Sequence, residues 1–320
     1  MGITSEKLRA RVTAAQSGMR LDQALASLFP DFSRARLQEW IKQGLVSVDG
    51  AVVARPRDKI LGGELLELEA ILQDQVACNP EPIPLDIRYE DETLLVVNKP
   101  AGLVVHPAVG NPDGTLQNAL LHHDASLIQL PRAGIVHRLD KETSGLLVIA
   151  KTTAAHKYLV EQLQERAVKR EYRAVVTGVM TAGGSVDQPI ARHPSQRTRM
   201  AVHPNGKHAV THYRVLERFR FHSYLKVVLE TGRTHQIRVH MAHIRYPLLG
   251  DPVYGGRLRI PAKVSPELEA MLRSFRRQAL HARKLGLQHP QSGEWMEWQV
   301  EPPQDMQELL AVLSRDYSYE

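Results

Sequence analysis

Between residues 134 and 145 the chain reads GIVHRLDKETSG, which sets His137, Arg138, Asp140, Lys141, Glu142, Thr143 and Ser144 against the apolar run LLVIA at 146–150. Polar side chains beside a core strand are costly unless hydrogen-bonded, so such a run must form a fixed network. The residues alone leave two readings open. One is a capped turn in which Asp140 is a local acceptor; the other is a reactive carboxylate held by the network. Other chemical patterns are missing from the sequence. It has no Gly-rich phosphate loop ending in Gly-Lys-Ser/Thr, no GxGxxG after a strand and no HExxH, and Glu142 stands where a nucleophile elbow around Ser144 needs glycine. Nucleotide hydrolysis, dinucleotide redox chemistry and serine-esterase chemistry lose their support. His235, His240 and His243 are close in sequence, but no carboxylate follows at a ligand-like interval until Asp251. In a chain with 15 histidines such clustering is cheap, and no metal site is expected.

The elements that must position these residues fall into two groups. Leu21, Ala24, Leu25, Leu28 and Phe29 follow a helical spacing closed by Pro30, and Ser33 is a suitable N-cap for a second helix carrying Leu37, Trp40 and Ile41, with Gly44 at its end. Val46–Val48, the Asp49-Gly50 turn signal and Ala51–Val53 predict a hairpin, and Leu66-Glu67-Leu68 a further strand. This small α/β unit is expected over 18–75. Pro80, Pro82 and Pro84 mark residues 76–85 as a linker. The body at 86–320 mixes strands and helices without a regular β-α-β alternation. Strands are predicted over 94–98, 146–150, 172–176, 224–230 and 295–300, and helices over 115–122, 154–166, 267–277 and 305–313. The fold class expected is α+β, around a mixed, mostly antiparallel sheet.

Of the 320 residues, 43% are hydrophobic and 24% charged, ordinary for a folded protein, and the formal net charge of +6 favours a polyanionic partner. Cys78 is the single cysteine, so no intramolecular disulfide or cysteine-based zinc cluster forms. The start MGITSEKLRA lacks the apolar stretch of a signal peptide, and no run approaches the ~18 apolar residues of a membrane span. A cytoplasmic protein without membrane association is expected.

HRLDKETSG resembles the HRLDxxTSG signature of the RluA family of pseudouridine synthases. Three further segments resemble that family in order: Lys169–Tyr172 (KREY), Glu230–His240 (ETGRTHQIRVH) and Leu249–Gly256 (LGDPVYGG). RLDQAL with SRARLQEWIKQGLVSVDG is similar to an S4-type RNA-binding domain, although Asp49 stands where such units commonly have Asn. The resemblance covers nearly the whole chain. The stretch RHPSQRTRMAVHPNGKHAVTHY is most like the branch acting on large-subunit ribosomal RNA. It implies several uridines of the helix 69 stem-loop as targets, with another ribosomal site or a tRNA loop as alternatives.

The implied reaction breaks the N1–C1′ bond of uridine, turns the base and rejoins it through C5. As an isomerisation it needs no redox agent, hydrolytic water, nucleotide or other cofactor. By the resemblance, Asp140 is the catalytic carboxylate, adding to C1′, acting on the sugar in a glycal route or adding to the base at C6. Arg233 matches its basic partner, and Tyr172 the residue that stacks on the uracil and relays a proton. The target base must leave its stack, and Arg138 matches the position that holds the RNA once it has flipped. His137 and Thr143 are further substrate-binding candidates; Leu147 is a candidate for either the pocket wall or the core. For RNA contacts the residues suggest Arg20, Arg34, Arg36 and Lys42 in the first unit, and Arg192, Arg197 and Arg199 in a basic hairpin or long loop of the second. The partner expected is ribosomal RNA or its assembly precursor, with the chain as a monomer. Two other classes stay open: a non-catalytic S4-type assembly protein, and a metal-dependent hydrolase built on the histidine cluster.

Overall fold

The computed structural model describes residues 4–29, 32, 34–72, 78–108, 110–196 and 198–316. The chain divides into two compact units, Met1–Ala77 and Cys78–Glu320.

The first unit comprises β1 (Thr4–Arg11), α1 (Leu21–Leu28), α2 (Arg34–Lys42), β2 (Val46–Val48), β3 (Ala51–Val52) and β4 (Leu65–Leu72), with sheet order β1-β4-β2-β3. Leu21 and Leu25 of α1 and Leu37 and Ile41 of α2 are fully enclosed against Val46, Leu66 and Leu68. This is the apolar face that the helical spacing predicts. The hairpin turns at Asp49 and Gly50, both at positive φ (49° and 82°), the geometry a two-residue turn favours. β1 pairs with β4 along its length and was not predicted. Ser33, the expected N-cap of α2, lies outside the described residues.

The second unit carries β5 (Ile87–Glu90), β6 (Leu94–Lys99), α3 (Leu116–His123), β7 (Ser144–Ala150), α4 (Thr153–Gln164), β8 (Lys169–Thr177), β9 (Gly184–Asp187), β10 (Ile190–Arg192), β11 (Met200–Val202), β12 (Val210–Arg218), β13 (His222–Leu229), α5 (Gln236–His243), α6 (Pro266–Ser274), β14 (Leu280–Gln288), β15 (Trp295–Gln299) and α7 (Gln304–Asp316). Its main sheet runs β5-β6-β7-β14-β8-β13-β12-β9, with β15 added to β14. Every pairing is antiparallel except β7 with β14. The α+β class with a mixed, mostly antiparallel sheet is therefore observed.

β6 and β7 read as continuous apolar runs because both faces of the sheet are covered. Leu95, Val97, Leu147 and Ile149 enter one core with Leu116 and Leu120 of α3 and Ile237 and Met241 of α5. Leu94, Val96, Leu146 and Val148 enter another with Ala155 and Leu159 of α4. β14 divides its length between partners. Its first residues pair in parallel with β7 (His281 with Ser144), and Lys284–Gln288 pair with β15.

The proline-rich stretch does not hang free after residue 77. Glu81 N donates to Asn118 O at 3.0 Å, Asn118 Nδ2 donates to Asn79 O at 2.8 Å, and Cys78 and Leu85 pack on the core. Proline excludes this stretch from helix and sheet but does not stop it docking, so residues 78–85 are part of the second unit rather than linker. Residues 73–77 lie outside the described set.

Candidate active site

Asp140 sits on the loop entering β7, and each carbonyl and hydroxyl behind it is held from beneath. The Thr143 amide donates to Asp140 O at 3.0 Å, closing a turn. The Lys141 carbonyl accepts from Gly102 N and from Lys99 Nζ, both at 2.9 Å. Lys99 is 1% exposed and also donates to the carbonyls of Pro100 and Leu103. Burial lowers its pKa to about 7 against the pull of Glu142 and Asp140, and the three carbonyls match the three N–H bonds of an ammonium. Glu142 O accepts from Arg277 Nη1 at 3.3 Å, and Thr143 Oγ1 accepts from Gln278 Nε2 at 3.1 Å. Ser144 Oγ meets His281 Nδ1 at 2.9 Å. Gly145 lies at φ 117°, and a Cβ there would fall 2.2 Å from Ala282 O, so only glycine lets β14 approach. The polar run is thus a satisfied network that fixes the backbone of Asp140.

The Asp140 carboxylate is held at one oxygen. Arg238 Nη1 donates to Oδ2 at 3.0 Å, while Arg238 Nε and Nη2 grip Asp251 at 2.7 and 2.9 Å. Asp251 Oδ1 also accepts from the amides of Val253 and Tyr254. Burial alone would raise the Asp251 pKa, but these bonds and the Arg238 charge outweigh it and hold it below the ordinary value. Burial acts against the Arg238 charge as well, and the two carboxylates more than restore it. Oδ1 of Asp140 faces His235 Nε2 at 3.8 Å. His235 Nδ1 bonds Tyr254 Oη at 2.7 Å, and burial pushes its pKa down despite the Asp140 charge.

Asp140 opens into a cleft of about 540 Å³ whose wall includes Arg138, His137, Thr143, Tyr172 and Arg233. Volumes of this order suit a small ligand or one nucleoside. Tyr172, on β8, is 6% exposed, its hydroxyl makes no hydrogen bond among the described residues, and burial raises its pKa, so it is a phenol at neutral pH. Arg138 is exposed and makes no ion pair or hydrogen bond among the described residues. His137 Nε2 accepts from Val148 N at 3.1 Å, and burial together with the Arg170 charge pushes its pKa to about 3. It is a neutral ring that fixes the wall to β7.

Two expectations are corrected. The guanidinium on Asp140 is that of Arg238, not Arg233. α5 begins at Gln236, whose side chain accepts from Arg233 N; this leaves Arg233 before the helix, with Nε on His208 O at 3.1 Å, and puts Arg238 in the first turn. Leu147 is no part of the cleft wall. It is fully buried beside Leu95 and Ile149, because its position in β7 points into the sheet core.

Two cleft residues escaped the sequence reading. Arg170 is 7% exposed, its Nε has no hydrogen-bond partner, and it lies two residues before Tyr172 on the same strand face. That spacing within KREY was the available signal. His106 also lines the cleft with Nδ1 buried and unpartnered, and no motif marked it. The histidine cluster does not converge, since His240 engages both ring nitrogens, with Thr211 Oγ1 and Gln188 O.

Among the expected RNA contacts, Arg20 and Arg34 both bond the fully buried Asp22, at 3.0 and 2.8 Å. A buried carboxylate needs such partners, so these two charges are partly engaged in joining α1 to α2. Arg36 lies over the Trp40 ring and Lys42 is exposed. β10 and β11 pair as a two-stranded antiparallel ribbon, with Arg192 exposed. Arg199 sits over the Tyr254 ring at 5.2 Å, beside the site. Arg197 lies outside the described residues. No helix of the described residues is long and apolar enough to cross a membrane.

The chain around this site has counterparts among known proteins. A family model described as RNA pseudouridylate synthase matches residues 93–243, and an S4 domain model matches residues 19–66. The chain belongs to the RNA pseudouridylate synthase family and is an isomerase of uridine in RNA. It is 58% identical over 311 residues to the ribosomal large subunit pseudouridine synthase D of Escherichia coli (strain K12), covering 97% of this chain and 95% of that one. To the protein of the same description from Pasteurella multocida (strain Pm70) it is 58% identical over 310 residues, covering 97% and 96%. Among solved structures it is similar to human RNA pseudouridylate synthase domain containing 4, with a TM-score of 0.56 and 29% identity over 71% of this chain and 92% of that one.

Proposed function

We propose that the chain converts uridines of large-subunit ribosomal RNA to pseudouridine, in the helix 69 stem-loop, with Asp140 as the reacting carboxylate. The relatives described as ribosomal large subunit synthases support the RNA class. The loop itself rests on the resemblance of the 192–213 segment to that branch of the family.

The observation that carries the role of Asp140 is the division of its two oxygens. Oδ2 is fixed by Arg238 at 3.0 Å, and among the described residues Oδ1 has only His235 Nε2 at 3.8 Å, so Oδ1 is the oxygen presented to a ribose in the cleft. Arg238 supplies the counter-charge and the orientation. The N1–C1′ bond breaks with its electron pair leaving on uracil, the base turns, the C5–C1′ bond forms and the C5 proton is transferred to N1. Oδ1 serves either by adding to C1′ or by taking the C2′ proton. Tyr172 stacks on the uracil, and its phenol carries the proton. Arg138, without an ion pair or hydrogen bond among the described residues, contacts the RNA around the flipped base.

Pseudouridine mapping of deproteinised and precursor large-subunit RNA after incubation with the chain tests the substrate. New pseudouridines in the helix 69 loop are expected. Modification confined to other loops or to tRNA would replace this target.

A further inference from the structure

A second cleft, of about 410 Å³, is lined in part by Asp251 and plays no part in the chemistry described above. Its rim carries Arg245, Arg257, Arg259 and Arg276, all exposed and none with a side-chain hydrogen bond or ion pair among the described residues. The lining contains one acid, Asp251, and both its oxygens already accept from Arg238. Four unspent guanidiniums around an otherwise acid-free concavity create a field that only an anion satisfies.

The floor has a different character. Leu249, Leu272 and Phe275 are buried there, while Leu258 stands 43% exposed at the lip. His222 lines the same cleft at 3% exposure, and its enclosed Nδ1 has no hydrogen-bond partner among the described residues. A buried ring nitrogen without a partner is rare and marks a place where a ligand supplies what the protein lacks. An apolar floor under a cationic rim fits a nucleotide, with its base inside and its phosphates on the arginines.

We infer that this cleft binds a nucleotide unit of the substrate RNA other than the target uridine, with Arg245, Arg257, Arg259 and Arg276 on its phosphodiesters. Asp251 places it within reach of the same RNA. It lines the second cleft, and through Arg238 its carboxylate is one side chain away from Asp140 in the first. By this inference, RNA seated at Asp140 passes the arginine rim. The inference rests on RNA as the substrate and not on which loop holds the target.

The test uses the full chain carrying Asp140→Asn, so that turnover does not intrude, and a fluorescein-labelled stem-loop cut from the RNA region that the wild type modifies. Anisotropy is followed against salt for Arg257→Ala/Arg259→Ala, for Arg276→Ala and for the corresponding lysine variants, with thermal melts of each. The alanine variants are expected to bind about 10-fold more weakly. Each phosphate contact removed should reduce the slope of log K against log salt by about 0.7–0.9. The lysine variants should recover much of both, because they keep the charge. Alanine variants with unchanged affinity and slope would overturn the inference. So would submillimolar binding of free uridine monophosphate that shifts the His222 ring resonances while RNA affinity stays at the parent value, since the cleft would then serve a free nucleotide.

Discussion

The guanidinium of Arg238 meets the Asp140 carboxylate through a single nitrogen, Nη1 to Oδ2 at 3.0 Å, and gives its other edge to Asp251. Asp140 is therefore oriented by a side chain that is itself locked, and its second oxygen stays open to the cleft. Removing Arg238 and removing Arg233 should have different consequences. Arg238→Ala is expected to reduce kcat by about 100-fold or more, as for loss of one fixed electrostatic partner at a reacting group. Arg233→Ala should raise KM while leaving kcat near the wild-type value. Steady-state tritium release from C5-labelled RNA measures both.

Asp251→Asn leaves a buried guanidinium short of its counter-charge. Breaking such a pair costs about 3–5 kcal/mol, which should lower the urea midpoint. Turnover should fall as well, because Arg238 loses the partner that aims it. An unchanged midpoint would show that solvent reaches the pair.

Gly145→Ala probes the loop scaffold. At φ 117°, with a Cβ 2.2 Å from Ala282 O, the substitution forces β14 away from β7 and should cost about 3 kcal/mol or more. A thermal melt of the variant reads this directly.

Tyr172→Phe separates stacking from proton transfer. The hydroxyl has no protein hydrogen bond among the described residues, so stability should change by less than about 0.5 kcal/mol. If the phenol carries the C5 proton, kcat should fall by about 100-fold with RNA affinity retained. Equal rates for both proteins would restrict Tyr172 to stacking.

Burial lowers the pKa of His137 to about 3 and of His222 and His281 to about 4. Unfolded histidine titrates near ~6.5, so around pH 5 the unfolded chain binds about three protons that these sites do not. Their contribution is complete above about pH 6.5 and is lost as pH falls towards 4. The urea midpoint should therefore drop steeply across that window. His281→Asn should remove about a third of what these three histidines contribute to the slope.

The Asp140 loop was legible because its polar residues stand out beside the apolar β7 and need partners. The partners were not legible, since Lys99, Arg277, Gln278 and His281 reach the loop from distant strands and turns. α5 was hidden by its composition: its buried positions include Gln236 and His240, whose polar atoms are satisfied by Val210, Thr211 and Gln188. Without that helix, Arg238 had no more claim to Asp140 than Arg233. β14 escaped because both of its faces are covered, so its burial does not alternate along the strand. In the first unit the helices were readable from leucine spacing, but the hold of Asp22 on Arg20 and Arg34 is a tertiary fact.

The most direct test of the account compares wild type with Asp140→Asn on one RNA, measuring binding by anisotropy and pseudouridine by single-turnover mapping. The near-isosteric amide should bind RNA with wild-type affinity and form no pseudouridine if, as proposed, the open oxygen of the carboxylate is the reacting atom. Pseudouridine formation at a rate close to wild type would contradict the central claim and assign the chemistry to another residue of the cleft.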